Sequence, residues 1–489
     1  MKNEIWPQRI RGLAGSGKTV ILCMKAAVLH LCYPEKKILF TFWTKSLYQY
    51  IKNLISRFYK PYSHFIEPDW SKINILHGWG GRNIDGVYYK TCKKNGYMCY
   101  TYKEALKYDR FQPFDYLCRK LMENKILPEY DYVLIDEGQD FPASFVQLCA
   151  KLAYENKFCL AYDDLQTIFQ IKSPSPSEIF GVNPDGTPKL EFQEDNILYK
   201  CYRNPREILV CAHALGFGLY NDIVQMLENK DYWEDIGYIV KNGDFKEGDK
   251  IIIERPAKNS PSVISKYYSS SELIQIHIFE SLEQEVTYVS DQISNDINNE
   301  KLNPDDILVI VIDDYHAKDY LNAIQESLLV RDINSNNIHE DSIGLKEFSI
   351  ENCVTLSTVH KAKGNEAYEV YIIGVDPLFE EPNVRKRNML FTAMTRAKGW
   401  VSITGCGEGA KKCKVEIDES IKHIPNLEFT YPSDEFLKKL KRELKTDAEI
   451  RLKAQRVLDE FMAEFGDELT PEEIRELIQE RLKKNGRKK

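Results

Sequence analysis

Residues 12–19 read Gly-Leu-Ala-Gly-Ser-Gly-Lys-Thr, which satisfies GxxxxGK[ST] in full. A loop of this kind works only between a buried strand and the start of a helix, and the chain supplies both. Gln8-Arg9-Ile10-Arg11 is short and strand-like. Thr19 to Cys32 is an apolar helical pattern stopped by Pro34, and Ile38 to Phe42 is a buried strand. Strand, glycine turn, helix and strand make a βαβ unit, so the class is α/β with a parallel sheet. Backbone N–H groups of Gly12, Ala14, Gly15, Ser16 and Gly17 are the candidates to close around phosphate oxygens. Lys18 would reach the β- and γ-phosphates of a nucleotide, and Thr19 would ligate Mg²⁺.

A phosphate loop needs an acidic partner at the end of a neighbouring strand. Tyr132 to Ile135 is an apolar strand followed at once by Asp136-Glu137. Asp136 is the candidate to hold Mg²⁺ through water, and Glu137 the candidate to take a proton from an attacking water.

The 489 residues suggest roughly three domains at about 150 residues each. A hydrophobic share of 43% and a charged share of 29% are ordinary for a folded chain and exclude wholesale disorder. The net charge of −8 gives no general attraction to nucleic acid, although a local basic groove would suffice. No apolar run reaches the length of a membrane span and no apolar leader follows Met1, so no membrane contact and a cytoplasmic location are expected. The 12 cysteines form no CxxC pair, and Cys23, Cys32, Cys149, Cys159 and Cys211 sit in core-like runs expected of reduced thiols. The spacings Cys92-x6-Cys99 and Cys406-x6-Cys413 are unlike the usual zinc frameworks.

Along the chain, residues 82–128 are rich in Tyr, Lys and Cys and read as a small, mainly helical insertion. Residues 172–189 hold four prolines and read as a linker. A second α/β pattern follows, with a helix expected over 203–229 and buried strands at 251–253, 274–278, 307–312, 354–357 and 370–373. Residues 432–489 are strongly charged and helix-prone, with Leu437, Leu440 and Leu444 at helical spacing and a basic end.

Further boxes then appear in a telling order. Asp136-Glu137-Gly138-Gln139-Asp140 resembles the DExQD box of the UvrD/Rep/PcrA-like superfamily 1 helicases. Thr41-Phe42-Trp43-Thr44-Lys45 resembles that family's TFTNK segment, and Leu76-His77-Gly78-Trp79 its TxHS segment. Asp163 to Phe169 resembles GDDDQSIY, and Tyr202-Arg203-Asn204 resembles NYRS. Thr358 to Glu366 resembles TxHxAKGLE, and Thr392 to Ala397 the V[AG]xTRA box. The resemblance runs from residue 8 to about 405.

The resemblance implies two RecA-like domains with ATP and Mg²⁺ between them: a first near 1–180, a second near 188–410, and a charged helical tail at 432–489. It implies that Gln166 senses the γ-phosphate, that Arg203 and Arg396 act on it from the second domain, that Tyr202 stacks on adenine and that Glu366 bonds the ribose. It implies strand contacts from Thr41, Phe42, His77, Trp79, Thr358 and His360, with core packing as the competing reading for Phe42 and Trp79. The implied activity is ATP-driven 3′-to-5′ movement on single-stranded DNA, alone or as the motor of a complex with a nuclease or other protein. A clamp or switch that binds nucleic acid without stepping, and action on RNA, stay open as alternatives.

The chain also departs from the family pattern. The family's adenine-reading glutamine lies further upstream than Gln8, so either base selectivity is relaxed or an upstream segment is lacking. Only residues 334–353 stand where the family carries its large second-domain insertion. Ile171 stands where a base-stacking aromatic is expected, and Asn365 and Ala367 replace the Leu and Phe of GLEF.

Overall fold

The computed structural model describes residues 5–43, 47–81, 85–109, 112–163, 175–313, 316–338 and 347–440. Gln166, Ile171 and the tail beyond residue 440 therefore lie outside the described residues.

The described residues fold into two six-stranded parallel sheets and one small antiparallel sheet. The first sheet contains β1 (Gln8–Gly12), β2 (Ile38–Phe42), β3 (Ile73–His77), β4 (Tyr132–Ile135), β5 (Phe158–Tyr162) and β6 (Glu194–Leu198), in the order β3-β2-β4-β5-β1-β6. The small sheet takes β7 (Ile239–Asn242) and β8 (Lys250–Glu254). The second large sheet takes β9 (Ile274–Phe279), β10 (Ile307–Val311), β11 (Ser335–Asn337), β12 (Val354–Thr358), β13 (Ala367–Ile373) and β14 (Ala397–Cys406), in the order β11-β12-β10-β13-β14-β9. The last strand, β15 (Asn426–Thr430), returns to pair antiparallel with β8.

Parallel strands must have both faces covered, which is why β2, β4, β5, β10 and β12 are buried along their whole length. On the first sheet, helices Lys18–Cys32 and Leu47–Tyr59 cover one face, and helices Pro113–Met122 and Ala143–Leu152 the other. On the second, helices Arg206–Phe217, Val384–Met394 and Gly407–His423 cover one face, and Leu282–Asn298 with Ala317–Leu329 the other. A further core joins Leu13 of the glycine loop to Cys201, Trp233, the small sheet and Leu437. This is the α/β architecture with two RecA-like sheets that the sequence leads one to expect. The described part of the insertion is helical, at Val87–Lys94, Tyr102–Ala105 and Pro113–Met122.

Three segments differ from their sequence reading. Residues 175–180 are not a free linker: Ser175 and Glu178 form a reciprocal capping box around Pro176, and the short helix Pro176–Phe180 buries Ile179 and Phe180 in the first core. The helix expected over 203–229 covers only Arg206–Phe217, because Gly218 takes a left-handed conformation (φ 72°) and ends it. Strand β6 pairs with β1 over Gln8–Gly12, so the first sheet takes in residues beyond 188.

Candidate active site

Strand β1 ends at Gly12, and the glycine loop turns from it into helix Lys18–Cys32. Gly12, Gly15 and Gly17 all take positive φ. A Cβ at Gly15 would lie 2.7 Å from Cβ of Arg203, so glycine lets the loop touch the segment that leads into the second half. There the Tyr202 backbone N–H donates to the Gly15 carbonyl at 2.9 Å.

The Lys18 ammonium is buried beneath this loop. Its Nζ donates to the carbonyls of Gly12 and Leu13, each at 2.9 Å, and lies 3.3 Å from Oδ2 of Asp163. Asp136 follows β4 and is wholly buried. Its Oδ1 accepts from the Glu137 N–H at 3.0 Å, while its Oδ2 has no hydrogen-bond partner among the described residues. Burial and then the Glu137 charge push the Asp136 carboxyl up to about 7, against Thr19 and Lys18. The buried Ser16 hydroxyl also has no partner among the described residues. Buried polar atoms are normally paired, so orphaned oxygens on Ser16 and Asp136 beside Thr19 suit a phosphate and a hard cation.

Glu137 sits in the left-handed region (φ 51°, ψ 47°), an unusual conformation for a non-glycine residue. Gln139 Nε2 donates to its Oε2. Burial would raise its pKa, but Lys18, Lys363, the Gln139 hydrogen bond and Arg396 outweigh it and hold the carboxyl below its ordinary value. Glu137 is thus ionised at neutral pH, as a proton acceptor must be.

The other wall comes from the second half. Arg203 Nε lies 2.5 Å from Oε2 of Glu366, and its Nη1 donates to the Thr395 carbonyl at 3.3 Å. Arg396 is 1% exposed, and its Nε donates to the Thr392 carbonyl at 2.9 Å. Burial first, then Arg203, lower its pKa to about 9, with Glu137, Glu366 and Asp163 pulling the other way. The guanidinium is thus held, only partly compensated, beside carboxylates of the first half, where added negative charge would be welcome.

Together these groups line a cavity of 460 Å³. Ala14, Gly15, Gly17, Lys18, Thr19 and Glu137 face it from the first half; Tyr202, Arg203, Glu366 and Arg396 face it from the other side. Gly12, Ser16 and Asp136 lie outside its lining. Beside it, Lys363 Nζ meets Asp140 Oδ1 at 2.5 Å, an ion pair across the two halves.

Of the six residues expected along a nucleic-acid strand, four are buried. Thr41 and Phe42 are core residues inside β2. Trp79 is buried, stacked on Phe114 with ring centroids 4.9 Å apart. Thr358 closes β12 and is also buried. These four side chains are not offered to a surface: Thr41, Phe42 and Thr358 lie in parallel strands covered on both faces, and Trp79 packs into the core beyond β3. His77 is half-buried, its Nδ1 accepting from the Trp79 N–H at 3.2 Å, and His360 is exposed.

Residues given no role from the sequence also belong to the cavity. Asp163 follows the buried strand β5 just as Asp136 follows β4, so that signal was available. Tyr50, Tyr368 and Lys398 line the cavity from unconnected segments, with Lys398 Nζ 4.5 Å from the Tyr368 ring centroid. No local pattern announces them.

Residues 354–404 match the family described as the UvrD-like helicase C-terminal domain. The match covers β12, β13 and β14 through Thr404, including Glu366 and Arg396, and connects the chain to a helicase-type function. Among solved structures, the C-terminal domain of a possible DNA helicase from Lactobacillus plantarum WCFS1 is similar at 17% identity and a TM-score of 0.23, over 30% of this chain and 81% of that one. No curated protein matches the chain. Among the described residues no helix is long and apolar enough to cross a membrane, and no cluster of three His, Cys, Asp or Glu could hold a metal ion.

Proposed function

We propose that the chain is an ATPase of the UvrD-like helicase class that hydrolyses Mg²⁺–ATP between its two sheets and couples hydrolysis to 3′-to-5′ movement on single-stranded DNA. The observation that carries this reading is the meeting of Lys18 and Glu137 with Arg203 and Arg396 around one cavity. In this reading Lys18 leaves the Gly12 and Leu13 carbonyls for the β- and γ-phosphate oxygens. Thr19 and Asp136 would hold Mg²⁺, which when bound neutralises charge on those oxygens. Glu137 orients a water and accepts its proton. Arg203 and Arg396 stabilise the charge that develops on the transferred phosphoryl group. Tyr202, 63% exposed at the rim, is free enough to turn onto the base.

Both arginines come from beyond the first sheet, so a γ-phosphate draws the two halves together and its loss releases them. The Asp140–Lys363 pair would form and break in the same cycle. For strand contact the reading relies on His77 and His360.

The experiment is a translocation assay with a fluorophore at one end of a single strand. ATP-dependent signal should arrive at a 5′ label with a delay that grows with strand length, and not at a 3′ label. ATP turnover without any length-dependent arrival would reject movement in favour of a clamp.

A further inference from the structure

A second cavity, of 410 Å³, lies on the second sheet and shares no lining residue with the first. Helix Leu282–Asn298 packs Val286, Val289, Ile293 and Ile297 onto the core, while Gln292, Asn295 and Asp296 beside them line the cavity. The early parts of β13 and β14 are therefore left under a polar roof. Successive side chains of β13 point to opposite faces of the sheet. Tyr368 faces the first cavity, and Glu369 faces the second.

The second cavity has three aromatic rings and an acidic wall. Trp400 and Tyr268 meet edge to face at 5.3 Å, and Tyr371 donates its hydroxyl to Asp296 Oδ2 at 2.5 Å. Glu369 has no hydrogen bond or ion pair among the described residues. Its strongest charged neighbour is another carboxylate, Asp296, and burial with that neighbour raises its pKa well above the ordinary value. No Lys, Arg or His lines the cavity among the described residues.

Carboxylates beside aromatic faces attract cations, and a cavity this size exceeds what a bare ion needs. We propose that this cavity binds an organic cation, an alkylguanidinium or alkylammonium group, between Glu369 and Asp296 with its stem against Trp400 and Tyr268. Such a group is carried by a basic side chain of a partner protein or by a free small amine.

The test is a ligand-observed NMR titration of the full chain with n-butylguanidinium, with its neutral counterpart n-butylurea, and with the peptide acetyl-Ala-Arg-Ala-amide. n-Butylguanidinium should saturate, with n-butylurea at least tenfold weaker. Glu369→Gln, which keeps the shape, should weaken n-butylguanidinium at least tenfold while leaving the thermal midpoint within a degree or two. Gln292→Lys tethers an ammonium group in the cavity and should block binding, so the test survives if Glu369→Gln does not fold. Binding of the peptide as well as n-butylguanidinium assigns the natural source to a partner's side chain; exclusion of the peptide alone assigns it to a free amine. No saturation by either cation, equal binding of the urea, or no loss in both variants would overturn the proposal. None of these readings depends on ATP turnover.

Discussion

Asp136 and Glu137 are chain neighbours pushed in opposite directions. Asp136 is sealed under the sheet and raised to about 7; Glu137 faces Lys18, Lys363 and Arg396 and is lowered. The metal-free folded chain therefore keeps a proton on Asp136 that an unfolded chain releases near 3.8. Between those values the folded state binds more protons, so this group's contribution to stability falls as pH rises. We expect the urea midpoint of metal-free protein to drop from about pH 5 to about pH 8 and the drop to shrink in Asp136→Asn. Equal slopes in the two proteins would show that Asp136 is not the group responsible. At Arg396, alanine should slow hydrolysis about 10³-fold while leaving ATP affinity within about threefold. A turnover rate near that of the parent would mean the arginine does not act on the phosphoryl group. The glycine loop, the acidic pair and the two arginines were legible because each sits in a local box. Lys363 as the partner of Asp140 and Asp163 as the partner of Lys18 were not, since both pairings exist only in three dimensions.

Elements were legible where burial is complete. Strands β2, β4, β5, β10 and β12 are continuous apolar runs because helices cover both faces. Two polar edge strands escaped: β6 (Glu-Asp-Asn-Ile-Leu) and β11 (Ser-Asn-Asn) pair on one side only, whereas the apolar edge strand β9 was legible. The expected strand contacts at Thr41, Phe42, Trp79 and Thr358 illustrate the converse, because which residues at a strand end turn inward depends on the layers packed over it. Helices Val384–Met394 and Gly407–His423 are joined by Arg387 and Glu416, 2.6 Å apart and almost wholly buried, with the guanidinium over Phe379. Removing one charge strands the other. Arg387→Met should cost about 3–5 kcal/mol in urea unfolding, and adding Glu416→Leu should restore much of it. If the double variant were no better than the single one, packing of the Arg387 stem would be the larger contribution.

At the scale of the whole molecule, two parallel sheets contribute opposite walls of one cavity, and contacts tie them across it: Tyr202 to Gly15, and Lys363 to Asp140. That arrangement makes the distance between the sheets sensitive to what occupies the cavity. The small third core, with Leu13 of the glycine loop packed among Cys201 and Trp233, holds the loop to the linking segment. On the proposed reading this cavity hydrolyses ATP in response to single-stranded DNA. The most direct measurement is the steady-state ATPase rate of the full chain with and without single-stranded DNA, beside Glu137→Gln. The strand should stimulate the rate at least tenfold, and Glu137→Gln should lose about 10²–10⁴-fold in rate with ATP binding retained. An ATPase rate indifferent to the strand, or a Glu137→Gln variant that turns over at the parent's rate, would contradict this reading.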